Sequence, residues 1–167
     1  GATIARVSFE GTAPNISTLV DNVILTMVKT PNLLLNPSFE DNLNNWTSEN
    51  VISTTSGDEF EGEWHARAGN SAYIFQDVNI EGAGCCYLLT FGAQGLIDSD
   101  ALAEVIWLNS EKREIGLGTS IVIPEFALFK QIGTGQDTLI WTLFASVTEP
   151  APPEATAARV LFSVPAS

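Results

Sequence analysis

Short runs of alternating or β-rich residues recur along the chain, each closed by glycine, proline, asparagine or aspartate, with no sustained helical period between them. They fall at 5–9, 19–27, 32–35, 72–80, 87–93, 103–108, 119–123, 139–147 and 157–162. Many short strands in one chain restrict the fold to a sandwich or a barrel. The polar stretch 47–70 predicts a long surface loop with one short strand at 51–54, and 127–135 predicts a helical turn. Gly-Leu-Gly at 116–118 and Gly-Thr-Gly at 133–135 read as turns and make no phosphate-binding loop. Pro31, Pro124, Pro150, Pro152 and Pro153 flank the runs, where a missing N–H costs least.

With 167 residues, 45% of them hydrophobic, the chain supports one core and has no room for a second full domain. Twenty Asp and Glu against seven Lys and Arg leave a net charge of −13, which repels phosphate backbones, so nucleic acid is not an expected partner. No apolar window approaches the roughly 18 residues of a membrane helix, and no membrane partner is expected. The first residue is Gly1 rather than Met, as expected of a processed or recombinant chain.

The opening ATIARVSF (2–9) returns near the end as ATAARVLF (155–162), with six of eight positions identical. The chain therefore carries two copies of one strand. Between them lie NLLLNPSFE (32–40), Trp46 in DNLNNWT, AGNSAYIFQDVNIEGAGCCYLLTFGAQ (68–94) and AEVIWLN (103–109), and VDNVIL stands at 20–25. In order and spacing these segments resemble the jelly-roll β-sandwiches of carbohydrate-binding-module type, over nearly the whole chain. The resemblance is to the branch found in secreted and spore-surface proteins of Gram-positive bacteria.

That resemblance implies an all-β jelly roll with a displaced terminal strand. In such modules the ARV-x-F strand is followed by a last strand of D-[DN]-V-x-L type, which packs beside the first. Here VDNVIL precedes NLLLNPSFE, and the second ARV-x-F has no such strand after it. The expected organisation is a segment of end-of-module strands at 1–28, a short linker at 29–31 and a jelly-roll body at 32–167. Two outcomes fit. The head segment folds back on its own body as a circular permutant, or it completes another copy by strand addition, with Ala5, Val7, Phe9, Val20, Val23 and Leu25 in the assembly strands. A fragment cut out of register is the plain alternative. Repeated head-to-tail donation would build a filament.

The same resemblance implies a structural Ca²⁺ between Glu40 of NPSFE and Asp21 of VDNV, with carbonyls near 69–71 completing an oxygen shell. Cys85 and Cys86 are adjacent at the start of a strand, where alternation sends them to opposite faces. One buried and one exposed thiol is the plain expectation, and an intersubunit disulfide the sharper one. Ala72, Ile74, Gln76 and Val78 resemble the inward row of that family, which by alternation turns Tyr73, Phe75 and Asp77 outward. Tyr73 and Phe75, joined by Trp64 from the long loop, are candidate sugar-stacking residues, against the alternative that they pack under that loop or on a neighbour. Trp46, Trp107 and Trp141 read as core. With one histidine, His65, and no nucleophile elbow, no catalytic set is expected. The expectation is thus a non-enzymatic module of an extracellular, cell or spore surface that assembles with copies of itself, with polysaccharide binding as the alternative.

Overall fold

The computed structural model describes residues 31–55, 60–94, 100–124 and 141–166, together with the backbone of 129–132 and 136–139. The body Asn32–Ser167 forms one compact unit. Nine strands follow in order among the described residues: β1 Thr47–Thr54, β2 His65–Asn79, β3 Leu88–Ala93, β4 Ala101–Leu108, β5 Glu114–Ile123, β6 Phe129–Ile132, β7 Gln136–Leu139, β8 Thr142–Val147 and β9 Ala157–Val164. A five-stranded sheet runs β1-β2-β9-β4-β5, a second sheet pairs β3 with β8, and β6 pairs with β7. Every pairing is antiparallel. The architecture is an all-β sandwich of jelly-roll type.

Alternation builds its core. Ala101, Ala103, Val105 and Trp107 of β4 turn inward with Ala158 and Val160 of β9 and meet Leu89 of β3. Phe91 of β3 stacks on Phe144 of β8 at 5.1 Å and meets Phe162 of β9 edge-on at 5.0 Å, so the aromatic contacts cross between the sheets. The Trp107 indole, 1% exposed, fits because its neighbours are small: a Cβ on Gly118 would stand 3.0 Å from the ring. Gly116 and Gly118 therefore lie inside β5 beneath a tryptophan and do not form the turn expected at 116–118. Gly-Thr-Gly at 133–135 is outside the described residues.

Other expectations are corrected. Residues 32–35 form no strand. The buried Gln76 takes the strand partner's role, accepting from Leu35 N–H at 2.7 Å and donating to Leu35 C=O at 2.9 Å. Asn36, at φ 50°, then turns the chain. Its amide donates to the carbonyls of Asn42 and Asn44 and accepts from Asp41 N–H, while its own carbonyl accepts from Trp46 Nε1 at 3.0 Å. The predicted loop at 47–70 is largely a hairpin of β1 with the first part of β2. Backbone pairing puts β6 where a helical turn was expected, and the run 139–147 divides into β7 and β8. The runs at 5–9 and 19–27, and with them the displaced strands, lie outside the described residues.

Candidate functional site

Strand register fixes the outward face of the five-stranded sheet. One row reads Glu49, Tyr73, Ser163, Leu102, Val122; the next reads Thr47, Phe75, Leu161, Glu104, Ser120; the third reads Asp77, Arg159, Ile106, Leu117. Tyr73 and Phe75, two positions apart on β2, share this face as expected, with ring centroids 6.2 Å apart and planes 24° from parallel. The guanidinium of Arg159 lies 4.2 Å over the Phe75 ring. Asp77 holds it there, accepting from Nε at 2.8 Å and from Nη2 at 3.2 Å. Glu114 lies 3.6 Å from Nη1, and Lys112 approaches Asp77 at 4.0 Å. The Asp77 hydrogen bond raises the Arg159 pKa above its ordinary value against the opposing effect of burial.

The result is a ladder in which Arg159 covers Phe75 and Phe75 backs Tyr73. Phe75 is half-buried, whereas Tyr73 at the end of the ladder keeps 36% of its surface exposed. Beyond this end the β1/β2 pairing shifts between Glu49 and Val51, where Asn50 and Ser71 adopt φ of 54° and 51°. Asn50 Nδ2 donates to Ser71 C=O at 3.1 Å and ties the irregularity together. An open groove of about 470 Å³ starts here, lined by Asn50, Ile52, Arg67, Ala68, Gly69 and Asn70. An aromatic ring near amide and guanidinium groups can take the apolar face of a sugar and hydrogen-bond its hydroxyls. Glu49 and Glu104, on the same face, have no ion-pair partner among the described residues.

Trp64 does not join this set. It directly precedes β2 at the far end of the β1/β2 pairing: His65 faces Thr54 whereas Tyr73 faces Glu49, five residues along β1, roughly 17 Å at strand spacing. Its N–H, with that of Glu63, donates to Glu40 Oε1 at 3.1 and 3.0 Å. Glu40 thus holds the 62–64 turn, and no group of three or more Asp, Glu, His or Cys converges among the described residues. Asp21, the expected Ca²⁺ partner of Glu40, lies outside the described residues, as do Ala5, Val7, Phe9, Val20, Val23 and Leu25. Trp46 and Trp141, expected in the core with Trp107, are half-buried: Trp46 packs on Phe39, and Trp141 contacts Phe60 and His65. Cys85 and Cys86 precede β3 and are both exposed, so neither is the buried member of the expected pair. Arg159 is the member of the site that sequence reading missed. Its ARV-x-F strand is legible, but its seat over Phe75 depends on the β2/β9 register.

Fold and face together define a β-sandwich with an aromatic-bearing open sheet. No family model matches the chain, and no curated protein matches it in sequence. Among solved structures it is similar to the enzymatically active domain of bacteriophage CBA120 tailspike protein 4, at 20% identity and TM-score 0.60, over 81% of this chain and 19% of that one. The chain thus spans about a fifth of that protein. It is also similar to a family 16 carbohydrate-binding module, at 16% identity and TM-score 0.55, over 79% of this chain and 88% of the module. A third similar structure is the family 61 module TmCBM61 in complex with β-1,4-galactotriose, at 14% identity and TM-score 0.50, over 80% and 88% of the two chains. These likenesses establish a fold of carbohydrate-binding-module type.

Proposed function

We propose that this chain is a carbohydrate-binding module of a surface-exposed or secreted protein, and that it takes a neutral polysaccharide at the Tyr73 end of the open sheet. The observation that carries the reading is the exposed Tyr73 ring, backed by Phe75 and Arg159 and set near the Asn50–Asn70 groove. Charge selects the ligand class. Arg159 is already neutralised by Asp77, and although Arg67 lines the groove, Glu49 and Glu104 face outward on a chain of net charge −13, so uronate, sulfate or phosphate polymers meet net repulsion. Affinity electrophoresis against neutral galactans, glucans and mannans tests this. Retardation by at least one is expected, with Tyr73→Ala weakening it about fivefold or more, the size of about 1 kcal/mol of lost aromatic contact. Trp64→Ala should bind as the unaltered chain does. No retardation by any of these polymers, or none lost on Tyr73→Ala, overturns the reading.

A second reading is assembly between copies by strand donation. It rests on the two copies of ARV-x-F in the sequence. An open strand edge invites pairing with another chain. Deleting residues 1–28 should then abolish assembly while leaving the body folded, as followed by size-exclusion chromatography. Unchanged assembly of the shortened chain removes this reading.

A further inference from the structure

Cys85 and Cys86 lie in the connection between β2 and β3, both free and both exposed. They are the chain's two cysteines, so neither has a third thiol to pair with in its own chain. Pairing with each other is opposed by geometry: successive Cα atoms stand about 3.8 Å apart across a trans peptide, short of the roughly 4.4–6.8 Å an unstrained disulfide spans. Any relaxed disulfide therefore needs a second molecule.

The backbone that displays these thiols is fastened to the body. Gly84 N–H donates to Ala151 C=O at 2.8 Å and Ala151 N–H returns to Cys85 C=O at 2.9 Å. Thr148 N–H donates to Tyr87 C=O at 2.8 Å, and Tyr87 N–H to Thr148 Oγ1 at 2.9 Å. The Tyr87 hydroxyl accepts from Glu81 N–H at 3.0 Å. Free cysteine is ordinarily among the most buried residues, yet here a fastened loop holds two of them in solvent. Exposure gives both sulfurs access to thiol–disulfide exchange.

We propose that Cys85 and Cys86 form a divalent covalent linkage site between copies of this chain, each thiol bonding a cysteine of a different copy, so that linkage extends into chains of subunits. The oxidant is a small-molecule disulfide. A cysteine thiolate attacks it, forms a mixed disulfide and releases one small thiol. The thiolate of a second copy then attacks the protein sulfur of the mixed disulfide and expels the other small thiol. Two protein thiols are oxidised to one disulfide, one small disulfide is reduced to two thiols, and the two protons pass to the thiols released.

The test uses the full chain, reduced, freed of reductant and treated with oxidised glutathione, then read on non-reducing gels and by intact mass. The unaltered chain should give a ladder of dimers, trimers and larger species that collapses with reductant. Cys85→Ser and Cys86→Ser should each stop at the dimer, and the double variant should remain monomeric. Both side chains are exposed, so each variant should keep the parent melting temperature, which is measured alongside. The inference is overturned if the unaltered chain stops at a doubly bridged dimer, remains a monomer carrying glutathione, or becomes a monomer lighter by two hydrogens through an internal ring.

Discussion

A single carboxylate oxygen organises the turn before β2. Glu40 Oε1 accepts from the N–H groups of Glu63 and Trp64, and the turn that presents them requires Gly62 at φ 76°. A Cβ there would meet the Glu40 carboxylate head-on. Because that carboxylate ends a flexible side chain, it would swing away and surrender both hydrogen bonds. Gly62→Ala should therefore cost the left-handed backbone penalty of about 1–2 kcal/mol plus about 1 kcal/mol for the lost clamp. Gly84→Ala provides the comparison, since its φ is 81° but nothing lies within 4 Å of the added Cβ. Urea titrations should show a larger loss at Gly62 than at Gly84, and the difference should vanish in a Glu40→Ala background. Equal losses in the unaltered background would deny the clamp.

At the scale of elements, strands were legible where alternation met a one-sided core. In β2 period two separates Ala72, Ile74, Gln76 and Val78 from Tyr73, Phe75 and Asp77, and the resemblance to carbohydrate-binding modules assigns the first set inward, as the core shows. Hence the aromatic part of the candidate site could be read without coordinates. β5 was partly hidden because its glycines serve Trp107 on the neighbouring strand, a cross-strand packing need that looks locally like turn chemistry. The leucine run at 32–35 failed in the opposite direction. Its composition is that of a strand, but the side-chain amide of Gln76, 41 residues away, satisfies Leu35. The polar hairpin at 47–70 has too few apolar positions to show its period. Arg159 over Phe75 and the groove beside Asn50 arise from register and from an irregular pairing, neither of which composition encodes.

For the whole molecule, charge is the dominant long-range term. Lys112, Arg113 and Arg159 gather near Asp77, Glu111 and Glu114, while twenty carboxylates face only seven Lys and Arg in the chain as a whole. Two effects of salt then compete. Screening weakens the partly exposed pairs, each worth roughly 0–1 kcal/mol, and it relieves the mutual repulsion of a chain at −13. The excess of thirteen acids outweighs a few surface pairs, so repulsion should govern. Raising sodium chloride from about 10 mM, with a Debye length of about 30 Å, to about 0.1 M, where it is about 10 Å, should raise the melting temperature. A falling melting temperature would show that the Arg159 cluster outweighs the net charge. Binding separates from stability in the same titration: a neutral glycan held by Tyr73 and amide groups should keep its affinity across that range, whereas an anionic polymer, repelled at low salt, should bind more tightly as salt rises. Salt-indifferent affinity for a neutral glycan, beside a rising melting temperature, is the combination expected when the net charge shapes stability and solubility while an uncharged contact reads the ligand.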